Sequence, residues 1–180
     1  MIEIPLGVLQ HLLCILLLFA RVCDVGTTYL ATPTLALEAN PIVRKLGWKF
    51  AIMTIALCVV PYWSPQVGLT LLMASLLVSA SNAGKVWVMR TMGEQAYLSF
   101  CLELARKSKL SRALLTVAAS AVIVVLAGAV IVLFYPSPSD DWGFWIGLGV
   151  ALYGVVIGIY GSGWLVRLFR RAAGLAEREA

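Results

Sequence analysis

The sequence predicts an all-α, polytopic membrane helix bundle, and three observations carry that prediction. Hydrophobic residues make up 61% of the 180-residue chain and charged residues only 13%, with a mean hydropathy of +0.92. Soluble domains carry about 45–50% apolar and about 25% charged residues. The apolar residues gather in long runs, and most Lys and Arg fall at alternate connections between those runs. A chain of this length has room for one compact transmembrane domain, 1–180, and no separate soluble domain.

A membrane span needs about 20 mostly apolar residues. The first helix is expected over 5–29. The second is expected over 47–63, closed by Pro61 and the Ser64-Pro65 turn, and the third over 66–88. A more polar segment, 89–109, follows. Within it, residues 94–109 read as an amphipathic helix. Ala96, Phe100 and Leu104, with Tyr97 and Cys101 beside them, form an apolar stripe at helical spacing, and Glu94, Glu103, Arg106 and Lys107 occupy much of the rest. Its expected place is the cytoplasmic membrane surface, where basic residues meet anionic headgroups; docking to a partner is the alternative. The fourth helix is expected over 111–135. The run from Pro136 to Asp141 breaks it, and the fifth helix covers 142–168 before a basic tail.

The basic residues set the direction. Arg44, Lys45 and Lys49 fall between the first and second helices, Arg90, Arg106, Lys107, Lys109 and Arg112 between the third and fourth, and Arg167, Arg170, Arg171 and Arg178 at the end of the fifth or beyond it. With about five helices these regions share one side. The other side holds Glu3, the Ser64-Pro65 turn, Asp140 and Asp141, with no Lys or Arg. The positive-inside rule then puts the N-terminus outside and the C-terminus in the cytoplasm. Tyr62, Trp63, Tyr135, Trp142 and Trp145 fit an outer aromatic belt, and Trp48, Trp87 and Trp164 an inner one. The net charge of +5 therefore reports sidedness, and no nucleic-acid partner is expected. The four cysteines, Cys14, Cys23, Cys58 and Cys101, form neither a CxxC pair nor a zinc spacing and read as small core residues. The N-terminus lacks the basic region of a secretory signal.

Two surfaces suit close helix packing. Gly143, Gly147, Gly154, Gly158 and Gly161 form a smooth strip on the fifth helix. It is a candidate contact for a homo-oligomer or a membrane-complex partner as well as for packing within the chain. Ala74, Ser75, Ser79, Ala83 and Gly84 form a similar thin surface on the third.

Ionisable groups within a span are costly, and function is the default hypothesis for them. Arg21 and Asp24 are three apart on the first helix and share a face with Thr28; Thr27 is adjacent. Glu38, Asn40 and Pro41 follow, with Asn40-Pro41 expected to cap and open the second helix. Asn82 and Lys85 lie at the cytoplasmic end of the third. By topology these groups lie at similar depth, and Arg21, Asp24, Thr27, Thr28, Glu38, Asn40, Asn82 and Lys85 are the candidate ligand-binding set. Asp24 and Glu38 are the candidate metal ligands, for a divalent cation such as Mg2+ or Ca2+. The bland readings are concrete. Arg21 and Asp24 neutralise each other, Thr27 and Thr28 bond back to their own helix, and Lys85 snorkels to the headgroups. His11, one turn before Cys14, reads as a hydrogen-bonded structural residue.

The pattern Asp24-x-x-Thr27-Thr28 followed by Glu38-x-Asn40-Pro41 resembles a family of small uncharacterised bacterial membrane proteins, over about residues 24–41. Segment 89–109 lies outside that pattern. The resemblance implies a bacterial inner (plasma) membrane location and a shared site, and supplies no reaction. Three functions fit the sequence. One is a membrane protein binding a cation or small polar ligand at a cytoplasm-facing site, with or without transport. The second is a membrane-embedded enzyme acting on a lipid or lipid-linked phosphate, although no nucleophile motif is present. The third is a structural or assembly subunit.

Overall fold

In a computed structural model the chain is all-helical among the described residues, 5–139 and 142–179, with side chains described as far as Leu175. Glu3, Asp140 and Asp141, expected on the outer side, lie outside the described residues, as does the side chain of Arg178. The helices are α1 (Leu6–Ala31), α2 (Pro41–Leu46), α3 (Trp48–Met53), a 3-10 stretch (Thr54–Tyr62) that continues α3, α4 (Pro65–Met92), α5 (Glu94–Lys107), α6 (Leu110–Phe134) and α7 (Trp142–Glu179). Among the described residues four helices are long and apolar enough to cross a membrane: α1, α4, α6 and the Trp142–Leu175 part of α7.

Local chemistry fixes most of the boundaries. Ser64 caps α4 by accepting the Val67 N–H at 3.3 Å, and Pro65 takes the first turn, where its missing N–H costs nothing. Asn40 accepts the Ile42 N–H at 2.9 Å ahead of Pro41, as expected, but the helix it opens is only the short α2. Gly47, at φ +72°, then turns the chain into α3, a conformation that side chains resist. Gly93, at φ +81°, does the same between α4 and α5. The second helix, expected over 47–63, therefore starts at this turn, separate from α2, and from Thr54 it is wound as a 3-10 helix.

The 3-10 segment runs antiparallel to α1. Trp48 meets Tyr29 edge-on at 5.4 Å, Thr54 accepts from Arg21, Cys58 packs with Leu17, and Tyr62 meets His11 at 5.3 Å. Pro61 is fully buried against Gly68 of α4, where an added Cβ would lie 2.6 Å from the proline ring. One core cluster forms here from Leu13, Leu17, Ala20, Cys58 and Leu72. His11 hydrogen-bonds the Gly7 carbonyl of its own helix at 2.6 Å.

α4 stands between α1 and α7, and α6 packs on α7. Of the thin face of α4, Ser75 and Ser79 are buried and the Ser79 hydroxyl reaches the Ala20 carbonyl of α1 at 3.1 Å, whereas Ala83 and Gly84 are exposed. The glycine strip of α7 is filled from within the chain. A Cβ on Gly147 would lie 2.8 Å from the Gly128 carbonyl of α6, and one on Gly154 2.9 Å from the Val125 nitrogen. Gly158 and Gly161 face Ala121 and Val117 of the same helix. The strip thus serves packing within the chain, against α6.

α7 also continues beyond its expected end, because the tail carries its own apolar face. Leu168 and Ala172 are buried with Leu98, Cys101 and Ala105 of α5 and with Leu37 of the α1–α2 loop. The apolar stripe read on α5 therefore divides. Cys101 faces inward and Tyr97 is half-buried, whereas Ala96, Phe100 and Leu104 face outward.

Candidate functional site

α1 and α4 run side by side, and their polar residues meet below the α1–3-10 core. Arg21 donates from Nη1 to Asp24 Oδ2 at 2.6 Å and from Nη2 to the Thr54 hydroxyl. Asn82 of α4 reaches across with Nδ2, 3.2 Å from Thr28 Oγ1 and 3.5 Å from Asp24 Oδ1. The Arg21 and Asp24 side chains are each 15% exposed. Within this group Arg21 Nε is buried and has no hydrogen-bond partner among the described residues. Arg21 stands about 15 Å along the helix from His11 and about 12 Å from Tyr29, near the middle of α1.

Asp24, Thr28, Asn82 and Arg21 are therefore brought together. Thr27 is not part of this group. Its hydroxyl donates back to the Cys23 and Asp24 carbonyls at 2.8 and 3.1 Å. Lys85 is exposed, with no polar partner among the described residues.

Glu38 and Asn40 stand in the loop beyond the C-terminal end of α1. Glu38 Oε1 accepts the Asn40 N–H at 2.7 Å, and the Asn40 side chain is spent on capping α2. Burial pushes the Glu38 carboxyl above the usual glutamate range. The Asn40 N–H pulls against that, the nearby Asp24 charge adds to it, and the net shift is upward. Asp24 has Oδ2 on Arg21 and Oδ1 toward Asn82. Among the described residues no group of three or more His, Cys, Asp or Glu side chains is placed to hold a metal ion.

Three participants escaped the sequence reading. Thr54 sits in what looked like an uninterrupted apolar helix. Arg167, read only as an inner-side charge, donates to the Ala39 carbonyl at 2.8 Å and the Glu38 carbonyl at 3.5 Å. Glu94, read as part of the polar face of α5, organises the loop. Its carboxylate accepts from the Thr32 hydroxyl, from the Thr34 N–H at 3.1 Å and from the Ala36 N–H at 3.0 Å. Those N–H groups flank Leu35, whose φ of +59° is unfavourable for a leucine. An αL residue turns successive N–H groups toward a shared anion, and here Glu94 supplies it. Burial alone would raise the Glu94 carboxyl, but the hydrogen bonds from Thr32, Thr34 and Ala36 hold it below the usual range. No spacing rule links residue 94 to residues 32–36, so only the tertiary fold reveals this clasp.

The chain matches no protein-family model, no curated protein and no solved structure. The functional reading therefore rests on the geometry of the site itself.

Proposed function

We propose that this chain is a multi-pass protein of a bacterial plasma membrane whose Arg21–Asp24–Thr28–Asn82 cluster binds a small polar ligand entering from the cytoplasm. The single observation that carries this reading is the buried, unpartnered Nε–H of Arg21 amid otherwise paired groups. A guanidinium kept deep in a span is expensive. Leaving one of its donors unsatisfied adds about 1–3 kcal/mol unless something accepts from it. A ligand bearing a carboxylate, phosphate or carbonyl oxygen supplies that acceptor. Glu38 and Arg167 stand at the mouth on the cytoplasmic side.

Five membrane crossings belong to this proposal. Six α residues in α3 and nine in the 3-10 stretch reach about 27 Å at about 1.5 and 2.0 Å per residue. Hydrocarbon cores are about 30 Å thick, so tighter winding lets a short segment cross. Its partner, α1 between Tyr29 and His11, covers a similar length. With that crossing counted, the basic connections fall on one side and the N-terminus lies outside.

A divalent cation shared by Asp24 and Glu38 is the second reading, favoured by the upward push that Asp24 exerts on Glu38. Thermal unfolding of the protein in nanodiscs, titrated with inorganic phosphate, acetate, Mg2+ and Ca2+, separates the two. Saturable stabilisation by an oxyanion, lost in Arg21→Lys, is expected; that variant keeps the charge and removes the Nε donor. Saturable stabilisation by Mg2+ or Ca2+ that survives Arg21→Lys and is lost in Glu38→Gln selects the cation. Equal oxyanion responses from wild type and Arg21→Lys would reject the proposed role of Arg21.

A further inference from the structure

We propose that the outer ridge of α5, formed by Ala96, Phe100 and Leu104 with Lys107 beside it, is a docking surface for anionic phospholipid of the cytoplasmic leaflet. α5 has two apolar faces. The inner one, Leu98, Cys101 and Ala105, is closed against Leu37, Leu168 and Ala172. The outer one lies on the opposite side of the helix, with Phe100 46% and Leu104 50% exposed. At helical spacing Ala96, Phe100 and Leu104 follow one another at intervals of four, so they form a continuous line rather than scattered exposed residues.

Two observations select lipid as the occupant. The first is position. A single residue, Gly93, separates α5 from α4, and two, Ser108 and Lys109, separate it from α6. Both neighbours are long and apolar enough to cross the membrane, so both ends of α5 are held near the membrane surface. Fourteen residues at about 1.5 Å each span about 21 Å, enough to lie along that surface. The second is charge. Arg90, Lys109 and Arg112 are exposed around the ends of α5, and Arg106 and Lys107 are exposed on it. Glu94 is turned inward onto Thr32, Thr34 and Ala36, and Glu103 is paired with Lys107 at 2.5 Å. The exposed surface is therefore net basic next to an apolar ridge, the combination that binds anionic headgroups while burying side chains at the acyl boundary.

The test is photocrosslinking of the full chain in nanodiscs, with p-benzoylphenylalanine in place of Phe100 or Leu104 and products read by mass spectrometry. Lipid adducts are expected at both positions, with yield rising at least about threefold when phosphatidylglycerol replaces part of a phosphatidylcholine bilayer. The probe in place of Leu115, on the exposed face of α6, serves as the lipid-contact control. Lipid adducts at 115 with none at 100 or 104 would overturn the proposal. So would crosslinks at 100 or 104 joining two copies of the chain or reaching a soluble partner. Adducts that ignore the anionic lipid content would remove the basic residues from the account and overturn the stated specificity. None of these outcomes depends on what the Arg21 cluster binds.

Discussion

Asp24→Asn is the change that best tests whether the α1 cluster is held together by charge. The substitution keeps the shape of the side chain and removes the counter-ion that sits 2.6 Å from Arg21 Nη1. With both side chains 15% exposed, the guanidinium is left in a largely enclosed setting with Thr54 as its remaining oxygen partner. Stranding a buried charge in this way costs about 3–5 kcal/mol. For a chain of this size about 1 kcal/mol moves Tm by about 2–4 °C, so a fall of about 6–20 °C is expected. Arg21→Met combined with Asp24→Asn should recover most of that loss, because apolar replacements of a buried pair are often neutral. The assay is thermal unfolding in one detergent, followed by tryptophan fluorescence, for the wild type, both single variants and the double variant. A coupling energy of about 2 kcal/mol or more is expected from the cycle. The reasoning fails if Asp24→Asn stays within about 1 kcal/mol of wild type, or if the double variant loses the sum of the two singles.

Three further outcomes follow from other parts of the structure. Glu94→Ala removes three acceptor contacts and leaves Leu35 in an unfavourable conformation, so loop 32–40 should open; limited proteolysis should cut there, with stability lower by about 2 kcal/mol. Gly154→Val drives a side chain into Val125 and the Ala121 carbonyl of α6 and should cost about 1–3 kcal/mol, whereas Gly163→Ala, with open space around it, should be close to neutral in the same unfolding assay. Acidity should act in two opposite steps. Glu38 is raised when folded, so its protonation as pH falls from neutrality adds stability. Glu94 is lowered when folded, so below the ordinary glutamate range its protonation removes stability. Unfolding curves across pH should show a maximum on the acid side of neutrality that disappears in Glu38→Gln.

The sequence exposed the membrane class and the four long helices because hydropathy and length are local properties. Asp24, Thr28 and Asn82 were also legible, since helical spacing and topology placed them at one depth before any contact was known. The winding of 47–63 was not. Apart from Lys49 and Thr54 its side chains are apolar, and apolarity does not distinguish an α-helix from a 3-10 helix. The inner face of α5 was misjudged for a related reason: Leu98, Cys101 and Ala105 compete with Ala96, Phe100 and Leu104 for the same helical spacing. Only the arrival of Leu168 and Ala172 from the far end of the chain decides which row is buried. Glu94 and Arg167 act on backbone groups of a loop more than fifty residues away, and no pattern within one segment reports such a pairing.

The 3-10 stretch and the deep arginine explain one another. An arginine near the middle of α1 needs an oxygen partner at that depth besides Asp24, and Thr54 supplies it at the point where α3 passes into the 3-10 stretch. Thr54 is free to accept there because its own hydroxyl proton goes to the Ala51 carbonyl at 2.5 Å. Beyond Thr54 the tighter winding carries a short segment up to Tyr62, beside His11, while the fully buried Pro61 seats against Gly68. Two of the three nitrogens of Arg21 are thereby fixed by neighbours that the fold brings in, and the third is held buried and unanswered. An enclosed donor with its two companions fixed is what a site needs to select a ligand oxygen by position as well as by charge.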